Sequence, residues 1–142
     1  MNKGFLWNKI GTDTEHNTEH QTNNRQGAYK MSNQKIINSM KKLVKKEGWV
    51  SFVELERLFE QYGYDFKGEY AISYKYPTLV FWIGWNMEAI NLFNQVRLEA
   101  DWVIDPCSPY IYYLDGQVPN LPIAKKEYQY KKDHWMPVCL NV

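Results

Sequence analysis

Between Lys125 and Trp135 the chain places Lys125, Lys126, Tyr128, Tyr130, Lys131, Lys132, His134 and Trp135 within eleven residues. Lysines interleaved with aromatic rings can meet phosphates and stack on bases, the two contacts that hold single-stranded nucleic acid. The same composition serves an edge hairpin that lysines guard against aggregation while its rings face the core. Strand alternation puts Lys126, Tyr128, Tyr130 and Lys132 on one parity, and Lys125, Glu127, Gln129 and Lys131 on the other. The second parity is wholly polar and is expected to face water. The tyrosines then turn inward and leave few rings free to stack, which ranks a protein partner above nucleic acid.

Other residues have the types that chemistry needs, without the setting. His16-Asn-Thr-Glu19-His20 has the His-x-x-Glu-His spacing of a zinc site. Such a site needs both imidazoles on one face of a stable helix. Here they lie in a polar stretch with no apolar stripe, so a chance match in a tail is expected. Cys107 and Cys139 with His134 are the types of a thiol nucleophile and its base. Cys107, however, lies between Pro106 and Ser108-Pro109 in an expected loop. Cys139 alternates with Val138 and Leu140, where a small buried hydrophobe is the default. Asp101, Asp105 and Asp115 fall near turns, which favour Asp for backbone reasons. There is no glycine-rich phosphate loop, Cys-x-x-Cys or nucleophile elbow in the sequence. No catalytic residue, metal ligand or cofactor is therefore assigned.

The elements that must position these residues belong to a chain of 142 residues, enough for one domain. Hydrophobic and charged fractions of 44% and 23% are those of a globular protein. The 11 Tyr and 6 Trp can build a substantial core in a short chain. No apolar run approaches the length of a membrane span, and no signal peptide is recognised, so the reading is cytoplasmic with no membrane partner. Two cysteines are too few for a disulfide framework. Reduced thiols are the simplest expectation, and one bridge between them is the alternative. Net charge is +1, with residues 31–63 at +2, 64–124 at −4 and 125–142 at +2.

Residues 1–30 are expected to be a disordered tail, because 11–26 contain no apolar residue to offset the entropy of ordering. Residues 31–142 are expected to form a single α+β domain, and Met31 is a second candidate start. A helix is predicted over 33–47 behind an Ser32 N-cap, with Ile36, Ile37, Met40, Leu43 and Val44 as its apolar stripe. Gly48 should end it. Ser51-Phe-Val-Glu54 is a capping box that opens a second helix with Phe52, Leu55, Leu58, Phe59 and Tyr62 inward. Residues 64–77 read as irregular or edge-strand material. Leu79 to Ile83 is apolar at every position, as a strand buried on both faces would be. Gly84 breaks the run, and Asn86 caps a third helix to Ala100. Short strands are expected at 102–104 and 110–114, the latter ended by the turn dipeptide Asp115-Gly116. A hairpin pairing 123–130 with 134–140 closes the chain, its last strand an edge because of Pro137.

Helix, helix, strand, helix and a basic hairpin, over about residues 32–140, resembles the winged-helix family. The resemblance implies that 87–100 is the reading helix and 125–140 the wing. That helix offers Arg97 against Glu88 and Glu99, with Asp101 beyond, so an anionic duplex would be repelled. A winged helix of this charge is expected to bind protein. In general style the chain also resembles small proteins of phages and mobile elements in Gram-positive bacteria. The expected function is a non-catalytic module that binds a protein partner as a regulator or inhibitor. The alternatives are a nucleic-acid-binding regulator and an enzyme of another class.

Overall fold

The computed structural model describes residues 5–9 and 23–142. Ten elements follow in order: β1 (Phe5–Lys9), α1 (Asn23–Glu47), α2 (Phe52–Gln61), β2 (Lys67–Tyr74), β3 (Tyr76–Trp85), α3 (Met87–Glu99), β4 (Val103–Pro106), α4 (Tyr110–Asp115), β5 (His134–Trp135) and β6 (Val138–Asn141). The class is α+β, with four helices among the described residues rather than the three expected. One sheet has the order β1-β2-β3-β5 and a second pairs β4 with β6.

The local signals hold where they are strongest. Ile36, Ile37, Met40 and Val44 are buried on α1. Gly48 follows in the left-handed region at φ 64°, and Trp49 shares that conformation at φ 48°. Ser51 Oγ accepts from Glu54 N at 3.2 Å while Ser51 N donates to Glu54 Oε2 at 3.1 Å, which completes the capping box. Leu79, Val80, Phe81 and Trp82 are buried on β3, which lies inside the sheet between β2 and β5. Asn86 Oδ1 accepts from Ala89 N at 2.8 Å, and its amide reaches Asp65 O at 2.8 Å, so it caps α3 and ties it to the connection between α2 and β2.

Rings fill the centre. Phe52 of α2 stacks on Trp82 at 6.0 Å and meets Trp85 edge-on at 5.6 Å. Phe59 meets Trp85 at 5.2 Å, and Phe93 of α3 meets Phe52 at 5.2 Å. Edge-to-face rings add to the stabilisation of their buried area. Within this apolar layer lies one carboxylate, Glu56 of α2, which is buried. Its Oε2 accepts from Trp82 Nε1 at 2.7 Å and Trp85 Nε1 at 2.8 Å. A buried acceptor serving two buried donors meets the requirement that interior polar groups be paired.

Several expectations are corrected. The helix does not begin at Ser32: α1 runs unbroken from Asn23. An N-cap must leave helical φ/ψ, and here the chain stays helical through that position. Phe5–Lys9, assigned to a tail, pair antiparallel with β2 from Phe5↔Tyr74 to Lys9↔Tyr70. That pairing makes β2 an interior strand. The polar stretch containing His16, Glu19 and His20 lies outside the described residues.

The expected strand at 110–114 is the helix α4. Gly116 supplies a left-handed residue at φ 90° and donates to Tyr112 O at 2.9 Å, so Asp-Gly ends a helix instead of turning a hairpin. The C-terminal hairpin is absent. β5 runs parallel to β3 through Leu79↔His134 and Val80↔Trp135, while β6 runs antiparallel to β4. Ile123 does lie beside Trp135, but in the parallel sense. β6 has β4 as its strand partner on one side, and on the other Leu140 alone is bridged, by Val50. Pro137, without an amide hydrogen, falls in the step between β5 and β6, where it interrupts neither ladder.

Candidate functional site

The Lys/aromatic stretch forms a surface loop. Lys125, Lys126, Lys131 and Lys132 are exposed, as is Tyr128. The predicted parity fails because no strand carries it: Tyr128 stays exposed, its ring edge-on to Tyr130 at 5.1 Å, with Lys126 Nζ 4.9 Å from its centroid. Tyr130 closes the loop on itself. Its hydroxyl accepts from Lys125 N at 3.2 Å and donates to Lys126 O at 3.2 Å. Its ring stacks on His134 at 3.8 Å. Trp135 is removed from the surface altogether, its Nε1 donating to Phe81 O at 3.2 Å and its ring edge-on to Tyr112 at 5.1 Å. The eight residues are thus divided: six on the loop surface, Tyr130 among them but half-buried, then half-buried His134, then core Trp135.

The helix that the sequence hid carries a second surface. Tyr110, Tyr113 and Leu114 stand three and four positions apart, so they share one face of α4. They are 71%, 50% and 85% exposed, and the Tyr110 and Tyr113 rings meet edge-on at 5.9 Å. Val118, beyond Gly116, is exposed as well. The opposite face of α4 inserts Tyr112 fully into the core.

The underside of α4 is fixed by hydrogen bonds to α2 and β6. Tyr112 OH donates to Val138 O at 2.6 Å and accepts from Phe52 N at 3.2 Å. Burial, the largest influence, pushes this phenol well above its usual range, with the Phe52 amide acting in the opposite direction. It therefore remains a neutral donor. Asp115 Oδ2 accepts from Ser51 Oγ at 2.6 Å, and Arg57 Nη2 donates to Asp115 O at 2.6 Å. Ser51 consequently serves two helices, as N-cap of α2 and as donor to the last residue of α4. Burial raises the Glu54 carboxyl above its usual range despite the Ser51 amide bond, and the Asp115 charge adds to the rise.

Beside this network stand the two cysteines. β4 and β6 pair through Asp105↔Cys139 and Pro106↔Val138, and Cys107 N donates to Pro137 O at 3.0 Å. The ladder thus continues one step past β4 and brings Cys139 Sγ within 3.0 Å of Cys107 Sγ as a hydrogen-bond donor. That hydrogen bond holds the Cys107 thiol below its usual range against the effect of burial. Cys139 is pushed up, first by donating that bond, then by burial and by the charges of Cys107, Glu54 and Asp115. His134, the base a thiol nucleophile would need, is turned to Tyr130, and its Nδ1 lies 2.8 Å from Lys132 O.

The third helix presents no basic face. Arg97 is 8% exposed, its Nε donates to Asn94 Oδ1 at 3.2 Å, and burial lowers its pKa. Glu99 is held by Lys41 of α1 at 2.9 Å. Among the described residues no helix is long and apolar enough to cross a membrane. Comparison with known protein families, curated proteins and solved structures finds no match to this chain.

Sequence reasoning missed Tyr110, Tyr113 and Leu114 as a surface. Their i, i+3, i+4 spacing was the available signal, and Ser108-Pro109 before them suits a helix start, with Tyr110 N donating to Ser108 Oγ at 3.2 Å.

Proposed function

We propose that this chain is a small non-catalytic module, of the kind phages and mobile elements encode, that binds a protein partner as a regulator or inhibitor. The outer face of α4 carries this reading. Three large side chains there have no cover, on a helix whose other face is anchored at Tyr112 and Asp115. Apolar surface collected on one element marks an interaction site. Tyrosine is favoured at such sites because a rigid ring buries much area at little entropic cost.

The test uses the chain and a Tyr113→Ser/Leu114→Ser variant as baits for proteins of the native source. A protein held by the first and lost by the second is then purified and titrated against both. The expected loss of affinity is at least about ten-fold, as for interface anchors. Equal affinity in a variant with unchanged circular dichroism would remove α4 as the contact.

A second reading, a nucleic-acid-binding regulator that uses the basic 125–132 loop, is favoured by one observation. Four exposed lysines share a loop with exposed Tyr128, and Lys126 Nζ lies 4.9 Å from its ring centroid. Phosphate contacts and base stacking need that combination. Random-sequence single- and double-stranded DNA at low salt is the probe. Binding near the micromolar range that Lys125→Glu/Lys131→Glu abolishes would put nucleic acid first.

A further inference from the structure

We infer that Cys107 and Cys139 form a thiol–disulfide exchange site, in which Cys107 attacks low-molecular-weight disulfides and Cys139 resolves the product into an internal bridge. The two sulfurs lie 3.0 Å apart on neighbouring strands, so bonding at about 2.05 Å requires them to close by about 1 Å. Cys107 is half-buried and Cys139 buried, so only Cys107 offers its sulfur to a molecule arriving from solvent. The backbone around the pair is tied down by the β4–β6 ladder and by the Cys107 N to Pro137 O bond. Pro106 and Pro109 fix φ on either side of Cys107. The electrostatics assign the same order. The hydrogen bond from Cys139 favours thiolate at Cys107, the species that attacks.

The balance is complete with a disulfide RSSR as oxidant. Cys107 loses its proton, and its thiolate bonds to one sulfur of RSSR as the S–S bond breaks and the other half leaves as RS⁻. Once Cys107 is a mixed disulfide it carries no charge, so one of the influences holding the proton on Cys139 is gone. The departing thiolate takes that proton. Cys139 then attacks Cys107 Sγ, breaks the mixed disulfide and expels the second RS⁻, which takes the proton that Cys107 released. The protein is oxidised by two electrons, and RSSR is reduced to two RSH. The site stands apart from the α4 surface and holds whether or not that surface binds a partner.

Oxidised glutathione is the probe, added to the reduced full chain. The intact mass should fall by two hydrogens with no glutathione retained, both thiols should become closed to alkylation, and dithiothreitol should reopen them. Cys139→Ser should retain one glutathione on Cys107, whereas Cys107→Ser should react at least about ten-fold more slowly, its remaining thiol being buried. A measurement on the unsubstituted chain keeps the inference testable if a variant misfolds. Limited iodoacetamide should label Cys107 before Cys139, as mapped on peptides. Two free thiols persisting in excess oxidised glutathione, a wild-type product that stops at the mixed disulfide, or first labelling at Cys139 would each overturn it.

Discussion

Replacing Glu56 should expose how much of the core rests on one carboxylate. Its Oε2 is the acceptor for both Trp82 Nε1 and Trp85 Nε1. Glu56→Ala leaves two buried indole N–H groups without that partner, and each such orphan costs about 1–3 kcal/mol. The expected loss is thus about 2–6 kcal/mol, a large part of the 5–15 kcal/mol that typically separates folded from unfolded domains. Glu56→Gln keeps an oxygen in place but removes the charge that strengthens both bonds. At about 1 kcal/mol for each charge-assisted bond made neutral, it should cost about 2 kcal/mol. Urea unfolding followed by far-UV circular dichroism measures both without relying on tryptophan emission. The penalty should also depend on the donors. In a Trp82→Phe/Trp85→Phe background, Glu56→Leu should cost at least about 2 kcal/mol less than in the unsubstituted chain, since no indole is then stranded. Equal costs in the two backgrounds, or an alanine variant within 1 kcal/mol of wild type, would refute the reasoning.

Three further outcomes are expected. Ser51→Ala should cost about 2 kcal/mol or more in urea unfolding, because the cap, worth about 1 kcal/mol, is lost together with a hydrogen bond to the Asp115 carboxylate. A cost below 0.5 kcal/mol would show that Ser51 holds neither helix. Gly68→Ala should lower stability by about 1–3 kcal/mol, because a Cβ there would come within 2.5 Å of Asn86 Cα, a backbone atom that cannot swing aside; an unchanged melting temperature would contradict the close approach of β2 to α3. The raised Glu54 pKa means that the folded state binds this proton more tightly than the unfolded state, where the value is near 4.5. Its contribution is therefore full below that value and is lost as pH rises through the folded pKa. Between about pH 4 and pH 7 the wild type should lose urea resistance relative to Glu54→Gln, and parallel profiles would show that Glu54 titrates alike in both states.

What was legible depended on how far each residue's partner lay along the chain. Ser51 and Glu54 satisfy one another across three positions, so the capping box could be read directly. The same holds for Gly48, for Asn86 with Ala89, and for the apolar run of β3. Asp115-Gly116 was ambiguous in itself: a glycine with positive φ ends a helix as readily as it turns a hairpin. With Tyr110 to Leu114 only five residues long, period 2 and period 3.6 could not be separated. Glu56 carries no local signal of its role, since its indole partners stand 26 and 29 positions on. The basic hairpin failed for a related reason. Trp135 joins the sheet through Val80 of β3, and the nearest segment of suitable composition meets it only at Ile123, in the parallel sense. The Cys107–Cys139 pair was left open because only the β4–β6 register brings the sulfurs together.

The pairing of Val50 with Leu140 has a kinetic consequence. Trp49 and Asn141, joined beside that bridge by a 2.7 Å hydrogen bond, are 92 positions apart. Their contact closes everything from α2 to β6 into a ring. α1, α2 and α3 can form from neighbours alone, but the docking of Leu140 on Val50 must wait for a search over that distance. Such contacts repay their closure entropy only after it has been spent. Refolding should therefore lag well behind helix formation, with burial of Val138, Cys139 and Leu140 among its last events. A denatured chain would spend that interval with the apolar strand β3 complete in sequence but uncovered on the β5 side, the stretch most able to find a neighbouring chain first.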